Sequence, residues 1–224
     1  MAKRILVIGA VALGPKAASR CKRLMPDAEV TLIDQSSRIS YGGCGIPYFI
    51  SDEVKNVAEL QSTPYGAIRN EQFFESHKDI KVLTKSQVTQ IDRKEKAVTV
   101  RNLIDGSSST LTYDSLVLAL GSSPNRPPIP GIELQGISSA TNLDEAEYIK
   151  YSRFGKSHAV IVGGGFIGLE LAVAIGEMWN LPTSVIEIAE TLKKIYNSTS
   201  RLNITGDFRI GDIAHNIADI SKAR

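Results

Sequence analysis

Cysteine is scarce in this sequence, which contains only Cys21 and Cys44 among 224 residues. Two cysteines do not make a disulfide framework, and their spacing fits neither a zinc ribbon nor a CxxC redox pair. An excess of one charge sign is also lacking, because 26 Lys and Arg residues stand against 24 Asp and Glu residues. No basic run is long enough to indicate a nucleic-acid-binding tail. We therefore expect a reducing compartment and a small-molecule partner, with no nucleic acid bound.

Long apolar runs are absent as well. No stretch approaches the roughly 18 apolar residues of a membrane-spanning helix, so we predict no membrane association. The first residues run from two basic side chains directly into a short apolar strand and lack the longer apolar stretch of a signal peptide. A cytoplasmic protein is the expectation. The scattered histidines His77, His158 and His215 give little support to metal binding or to Ser-His-Asp chemistry, and we predict no metal site.

A strand–helix–strand pattern lies at the start of the sequence. The apolar run over residues 4–10 is typical of a strand buried on both faces of a parallel sheet. Pro15 suits the first turn of a helix, where a missing N–H costs nothing. A second strand is predicted over residues 29–34. These elements predict a βαβ unit of the dinucleotide-binding kind.

Glycines stand at the turn of this unit. Gly9 and Gly14 hold the outer positions of the dinucleotide fingerprint, whereas Val11 occupies the middle one. Glycine permits a tight turn and lets a pyrophosphate approach main-chain N–H groups at the positive end of a helix. Asp34 ends the second strand, where a carboxylate accepts hydrogen bonds from a ribose. The pattern indicates a dinucleotide site, although a plain βαβ unit without nucleotide remains an alternative.

The same pattern recurs later in the chain with all its glycines. Gly163, Gly165 and Gly168 complete the fingerprint, a helix is expected from Leu169 to about Trp179, and the following strand ends in Glu187. An acid at that position favours NAD(H), because a 2′-phosphate would meet a negative charge. Two dinucleotide loops imply two dinucleotides, most economically a flavin and a nicotinamide cofactor that exchange a hydride.

Short strands and a stiff linker lie between the two patterns. Residues 80–120 favour short strands with a turn at 105–106, and they end in a buried strand that stops at Gly121. A cluster of prolines over residues 124–130 follows and predicts a domain boundary.

Cys44 lies between two glycines just before a predicted helix start, with Pro47 in the first turn. A helix N-terminus stabilises a thiolate, which is the reactive form of cysteine. The flanking glycines also leave room for a flat ring system against the sulfur. Cys21 lies on the apolar side of the first helix and is interpreted as a small core residue. On this local chemistry alone, a functional and a purely structural Cys44 remain equally open.

Four segments carry a resemblance to a known family: Gly9–Gly14, Ser40–Tyr48, Leu116–Ser122 and Gly163–Gly168. In order and spacing they resemble the single-cysteine flavoprotein disulfide reductases. These comprise coenzyme A-disulfide reductases, their persulfide- and polysulfide-reducing relatives, and NADH oxidases and peroxidases. The resemblance covers residues 2 to about 190. It implies an FAD- and NAD(P)H-dependent oxidoreductase in which Cys44 is the single redox cysteine.

The resemblance also implies site residues. FAD contacts are implied at Gly9, Ala10, Val11, Ala12, Gly14, Asp34, Gln35, Val88, Ala119, Leu120 and Gly121, and NAD(P)H contacts at Gly163, Gly165, Phe166, Ile167, Gly168 and Glu187. Leu120 departs from the family, whose members usually have threonine there. Complete relatives are homodimers.

Ala12 separates the branches of the family. The oxidase and peroxidase members carry a catalytic histidine at the matching position, so the resemblance favours the coenzyme A-disulfide and persulfide branch. Members of that branch bind coenzyme A near the first helix and the cysteine. By this resemblance Lys16, Arg20 and Arg23 would meet its phosphates, while Ser40 and Gly43 would line the pantetheine path, although a solvated helix face accounts equally well for the three cations.

The fold class that follows is α/β. We predict an FAD/NAD(P)-binding Rossmann-like three-layer (ββα) domain over residues 1–128 and an incomplete second dinucleotide-binding βαβ unit in a partial NAD(P)-binding domain over 129–195. The tail over 196–224 resembles a segment of nucleotide-sugar epimerases. Alternatively, residues 210–214 are the family's late flavin loop. A fused or truncated chain is the expectation, and an oxygen-using NADH oxidase or a non-catalytic FAD- or coenzyme A-binding fragment remain alternatives.

Overall fold

Strands and helices alternate along the chain as the two glycine patterns predict. The computed structural model describes residues 2–126, 128–180 and 182–186. The strands are β1 (Arg4–Ile8), β2 (Glu29–Ile33), β3 (Lys81–Leu83), β4 (Ser86–Asp92), β5 (Ala97–Asn102), β6 (Ser108–Thr112), β7 (Ser115–Leu118), β8 (Ala159–Val162) and β9 (Thr183–Ile186). The helices are α1 (Leu13–Leu24), α2 (Ile46–Ile50), α3 (Glu71–Lys78), α4 (Leu143–Ser152) and α5 (Phe166–Met178), and 3₁₀ turns span Gly43–Gly45 and Val57–Gln61.

The described chain separates into two compact units. The first comprises residues 2–45 and 56–124, and the second comprises residues 46–55 and the described residues from 125 onward. The chain therefore leaves the first unit directly after Gly45 and returns to it at Asn56. The division of the sequence into 1–128, 129–195 and 196–224 stays a prediction.

A parallel sheet with the order β3-β2-β1-β7 forms the centre of the first unit. The central strand β1 is apolar throughout after Arg4, as a strand covered on both faces must be. Ile8 aligns with Ile33 of β2 and with Leu118 of β7, so the carboxyl ends of these strands meet at one edge of the sheet. This edge is where parallel α/β sheets bind their ligands.

The two faces of this sheet are covered by different layers. Helices α1 and α3 pack on one face, where Ala18 and Phe74 join a buried cluster with alternate strand residues such as Val7. The antiparallel sheet β4-β5-β6 covers the other face, and there Val98 and Val100 pack against Leu6, Ile8 and Ile33. The successive side chains of β1 thus point into separate cores, as pleating requires. The predicted three-layer ββα arrangement is confirmed.

The antiparallel sheet follows the predicted pattern closely. The connection between β5 and β6 spans residues 103–107 and contains the predicted Asp105–Gly106 pair, where Gly106 has a φ of +75° and Asp105 accepts the Ser107 N–H. Burial of the strand face alternates in β5, since Val98 and Val100 are buried. A register shift between Val88 and Gln90 marks a β-bulge in β4. The bulge adds local twist to a short three-stranded layer.

The second unit contains a parallel pair, β8 and β9, with the helix α5 between them in sequence. The predicted start of this helix at Leu169 is wrong, because α5 begins at Phe166. Gly165 serves as the N-cap residue, so the glycine turn passes straight into the helix without intervening loop residues. Helix α4 begins after Asn142, whose side chain accepts the Glu145 N–H. Among the helices of the described ranges, none is long and apolar enough to span a bilayer.

Candidate functional site

The first glycine turn is closed by backbone contacts that exclude any side chain. Gly9 follows β1 with a φ of +99°, and a β-carbon there would lie 2.1 Å from the Ala119 carbonyl oxygen. A β-carbon at Gly14 would lie 1.7 Å from the Gly9 carbonyl oxygen. The Ala119 N–H donates to the Ile8 carbonyl at 2.7 Å, which holds the end of β7 against this turn. Glycine is therefore required at both positions for steric reasons.

The N-terminus of α1 opens from this turn without a side-chain cap. Ala12 is the N-cap residue and makes no capping hydrogen bond, and the first turn contains no acidic residue. Ala12 and Leu13 are exposed. The main-chain N–H groups of a first helical turn lack helical acceptors, and the helix dipole makes this end positive. The turn therefore has the chemistry of a phosphate site, and it fits the pyrophosphate of a dinucleotide.

Asp34 organises the turn from the end of β2. Its Oδ2 atom accepts the Ala10 N–H at 2.6 Å, and its Oδ1 atom accepts the Ser36 N–H at 2.7 Å. The residue is only 8% exposed. Both carboxylate oxygens thus bind the backbone, a role that the sequence pattern did not indicate, and any ribose contact would use their remaining lone pairs. The neighbouring Gln35 is exposed.

The other implied flavin contacts lie directly after β7 and within β4 of the first unit. Ala119 and Leu120 follow β7, and Leu120 is 66% exposed. Gly121 has a φ of +67°, a conformation that favours glycine. Val88 lies in β4, pairs with Val100 and packs against the core beneath the antiparallel sheet. The structure thus brings Ala119 to the glycine turn, whereas it gives Val88 a packing role.

Cys44 occupies the 3₁₀ turn Gly43–Gly45, where it is an exposed free thiol. Helix α2 begins at Ile46, so the predicted helix start after the cysteine is confirmed. The Gly42 N–H donates to the Leu60 carbonyl at 2.9 Å. A β-carbon at Gly45 would lie 2.4 Å from the Leu60 Cδ2 atom, so glycine there allows Leu60 to pack against the turn.

A backbone hydrogen bond connects the cysteine loop to the glycine turn. The Ser40 N–H donates to the Ala10 carbonyl at 2.7 Å, and the Ala10 N–H donates to Asp34. Ala10 is fully buried, and Ser40 is only 6% exposed with a φ of +52°. Ala10 therefore connects the dinucleotide turn, the acid of β2 and the segment that leads to Cys44. Ser40 contributes its main chain to this connection, and the predicted pantetheine contact of Ser40 remains a prediction.

Lys16, Arg20 and Arg23 lie on one side of α1 at helical spacing and are exposed. The described part of the chain offers none of them a hydrogen bond or an ion pair. Lys22, by contrast, pairs with Asp79 at 2.5 Å and donates to the Ala28 carbonyl at 2.8 Å. The three predicted cations are therefore available to an external anion.

The second glycine turn repeats the geometry of the first. Gly163 has a φ of +117°, and a β-carbon at Gly168 would lie 2.0 Å from the Gly163 carbonyl oxygen. Gly165 caps α5 without a side-chain hydrogen bond, and the first turn of the helix has no acid. Phe166 and Ile167 are exposed in that turn. Glu187, residues 196–224 and the segment 210–214 lie outside the described residues.

Other features of the first unit lie apart from this site. A groove of about 760 Å³ is lined by residues at the amino ends of the strands, among them Arg4, Glu29 and Lys81. That is the opposite edge of the sheet from the glycine turn. Cys21 is half-buried and packs against the helical core, as predicted. Within the described ranges, no three His, Cys, Asp or Glu side chains are grouped as metal ligands would be.

A three-layer ββα unit with a phosphate-type glycine turn, followed by a second βαβ unit of the same design, defines a dinucleotide-binding α/β protein. A loop with an exposed free thiol, Cys44, is attached to the first turn. Residues 3–214 match the family model described as pyridine nucleotide-disulphide oxidoreductase, and the chain belongs to this family.

Curated relatives and solved structures agree with this membership. The chain is 33% identical to an NADH oxidase of Enterococcus faecalis over 85% of its length, and 33% identical to a coenzyme A disulfide reductase of Staphylococcus haemolyticus over 75% of its length. It covers 41% and 37% of those two proteins. An NAD-dependent persulfide reductase from A. fulgidus superposes with a TM-score of 0.78 at 42% identity, over 81% of this chain and 33% of that one. The chain thus spans about two fifths or less of each of these three proteins.

Proposed function

We propose that this chain provides the FAD site and the redox cysteine of an NAD(P)H-dependent reductase that acts on coenzyme A disulfides, persulfides or polysulfides. The observation that carries the proposal is the connection through Ala10, which fixes the segment before Cys44 to the phosphate-type glycine turn. A cofactor seated on that turn and a thiol on that loop belong to one local structure. The coenzyme A disulfide reductase and persulfide reductase among the similar proteins support this substrate class.

The residues present fit FAD at the first turn. The uncapped N-terminus of α1 would hold the pyrophosphate, Asp34 would meet the adenosine ribose, and the backbone around Ala119 and Gly121 would flank the flavin. When bound, FAD would accept a hydride from NAD(P)H and supply two electrons at sulfur. The second turn, Gly163–Gly168, would hold NAD(P)H, and Glu187 favours NADH there.

The chemistry of this chain's own residues centres on the Cys44 thiolate. It attacks one sulfur of a disulfide or persulfide, a new S–S bond to Cys44 forms, and the old S–S bond breaks to release one thiolate. Two electrons, which bound FAD would supply, would then cleave the S–S bond of the Cys44 mixed disulfide and regenerate the Cys44 thiolate, and one proton would convert the second thiolate into the released thiol. Without a partner cysteine at CxxC spacing, the oxidised form of Cys44 would be a mixed disulfide, a persulfide or a sulfenate.

Coenzyme A specificity would come from the surface beside this loop. The cations Lys16, Arg20 and Arg23, which have no partner among the described residues, would bind phosphate groups, and the exposed Gly43 would border the pantetheine chain. The family match reaches residue 214 and so includes the segment 210–214, which the alternative interpretation assigns to the late flavin loop. A homodimer, as in complete relatives, stays a prediction.

Substitution Cys44→Ser tests this proposal, with Cys21→Ser as the matched control. Cys44→Ser should abolish NADH-driven disulfide reduction and the long-wavelength absorbance of a thiolate against flavin, while the bound FAD spectrum is kept. Cys21→Ser should retain both properties, because Cys21 packs against the helical core. Disulfide reduction that survives in Cys44→Ser would refute the assignment.

An oxygen-using NADH oxidase is the second candidate, favoured by the relative of that name from Enterococcus faecalis. Ala12 argues against it, since by resemblance the oxidases carry a histidine at this position. The oxidase reading predicts NADH-dependent oxygen consumption that is indifferent to Cys44→Ser. A chain that is yellow but not bleached by NADH would instead support a non-catalytic flavin-binding role.

A further inference from the structure

Three successive residues of the loop that carries Cys44 lie at the surface. Gly42, Gly43 and Cys44 are all exposed, and glycine on both sides of the thiol gives the unrestrained backbone a large conformational freedom. The Gly42 N–H donates to the Leu60 carbonyl, and the Gly45 N–H donates to the Gly42 carbonyl, each at 2.9 Å. The hydrogen bonds at the base of the loop therefore help to fix the position of these exposed residues.

Gln61 makes one of these hydrogen bonds with its side chain. Its Nε2 atom donates to the Ile39 carbonyl at 2.8 Å, three residues before the exposed part of the cysteine loop begins at Gly42. The Ile39 side chain is buried in the helical core, so the residue that accepts this hydrogen bond is held in place. Gln61 thus attaches the base of the loop to the segment that already binds Gly42 through Leu60.

The segment that carries Gln61 is itself rigidly held. The Gln61 carbonyl accepts both the backbone N–H and the Nε–H of Arg69, each at 3.0 Å. At the other end of the 3₁₀ turn Val57–Gln61, the side chains of Asn56 and Glu59 form a reciprocal capping box. A side chain on a fixed turn transmits its position to the group it binds, whereas one on a mobile loop does not.

We propose that Gln61 is a positioning residue for Cys44. This inference rests on the proposed function, to which it adds a residue that no sequence motif marks. Attack on a disulfide needs the thiolate within reach and in line, and a misplacement of about 1 Å costs up to about a hundredfold in rate. Gln61 acts by limiting the positions of the loop, and it does not touch the reacting atoms.

The test compares Gln61→Leu, which removes the amide donor at similar volume, with Gln72→Leu, the same change on the exposed surface of α3. The first measurement is amide hydrogen exchange at Gly42 and Gly45. Loss of one hydrogen bond at the base of the loop should raise exchange there by about tenfold in Gln61→Leu and leave it unchanged in Gln72→Leu. Gln61→Lys, which restores an N–H donor, should reverse most of the increase.

The second measurement is the rate at which iodoacetamide alkylates Cys44, read from the Cys44 peptide by mass spectrometry. In Gln61→Leu the rate should move by about three- to tenfold toward that of an unstructured cysteine peptide, and Gln61→Lys should recover it. The proposal would be overturned if the amide exchange rates at Gly42 and Gly45 and the alkylation rate of Cys44 were the same in Gln61→Leu and Gln72→Leu. It would also be overturned if amide exchange in Gln61→Leu rose uniformly through α1 and α3, since that would indicate a general loss of stability. Gln61→Asn replaces Gln61→Leu if the latter does not fold.

Neither measurement depends on turnover. Full disulfide reduction by the Cys44→Ser variant would refute the proposed function but would not affect the exchange and alkylation measurements on the loop. A Cys44-dependent enzyme whose loop is indifferent to Gln61→Leu would refute the positioning role alone.

Discussion

Acid should destabilise the second unit through one carboxylate, Asp52. Lys150 donates to Asp52 at 2.9 Å, and Arg153 pairs with the other carboxylate oxygen. Lys150 is only 4% exposed, and its Nζ atom lies 3.9 Å from the centre of the Phe49 ring and 3.3 Å from the Val54 carbonyl. Asp52→Asn removes the negative charge from this cluster and keeps a residue that tolerates the φ of +69° found at Asp52.

The magnitude follows from proton binding. The hydrogen bond from Lys150, and then that from Arg153, lowers the pKa of Asp52 from 3.8 to about 2. Linkage converts this difference into about 2 kcal/mol of folding free energy. The carboxylate is 31% exposed, so solvent screening reduces the figure to about 1–2 kcal/mol. The variant loses somewhat more, about 2–3 kcal/mol, because Lys150 keeps its charge in a buried position.

The sign and the pH range of the effect are fixed by the lowered pKa. A carboxyl with a lower pKa in the folded state stabilises the fold above its unfolded pKa of about 4, and this contribution is lost as the pH falls toward about 2. The free-energy difference between the wild type and Asp52→Asn should therefore be full at neutral pH and shrink between about pH 4 and pH 2.

Urea unfolding followed by tryptophan fluorescence measures this difference. The sequence has one tryptophan, Trp179, whose indole N–H donates to the Ile50 carbonyl at 2.9 Å, and the Arg153 guanidinium lies 5.8 Å from its ring. The probe thus belongs to the structure under test. Glu133→Gln, the same acid-to-amide change at an exposed position of the second unit, serves as control. A difference that is absent at neutral pH, or that persists undiminished near pH 2.5, would refute the reasoning.

Two further predictions concern the dinucleotide and coenzyme A surfaces. Gly9→Ala should abolish FAD binding and destabilise the first unit by more than about 3 kcal/mol, because the new methyl group meets the Ala119 carbonyl. The control is Gly164→Ala, which should be tolerated because no atom lies within 4 Å of its new methyl group. Circular dichroism and the flavin absorption spectrum measure the fold and the bound FAD in both variants. Replacing Lys16, Arg20 and Arg23 together with alanine should raise the KM for coenzyme A disulfide by about tenfold or more at low salt and leave FAD bound. A KM unchanged by the triple substitution, or a loss insensitive to salt, would contradict the phosphate role.

The sequence predicted the features that depend on local geometry. Each of these features depends on a few neighbouring residues, whose backbone sterics decide the structure. They are the glycine turns, the buried strands and the turn that contains Asp105 and Gly106. The order of those stretches was sufficient for the three-layer arrangement. Even the error at α5 is local, since the glycine at 165 caps the helix directly and no residue between the turn and Leu169 breaks it.

Contacts between distant segments were not predictable from the sequence. Gln61 lies in a stretch with no motif, and its hydrogen bond to Ile39 spans 22 residues. The segment over residues 46–55 joins the second unit through Asp52, Lys150 and Arg153, although a linear pattern assigns it to the domain around it. In the sequence, polar and charged side chains such as these could equally be solvated surface residues. Only the folded structure shows that they make contacts between distant segments.

Val11 shows what the glycine fingerprint does and does not require. Its position is the middle one of the pattern, whereas the contacts that exclude a β-carbon lie at the outer glycines, Gly9 and Gly14. In the second turn Gly168 likewise meets the Gly163 carbonyl, but a β-carbon at the middle glycine, Gly165, would meet no atom within 4 Å. The fold of the turn therefore depends on the outer pair, and the middle position is left to the ligand. A valine there is compatible with the same turn and with a cofactor that approaches it differently.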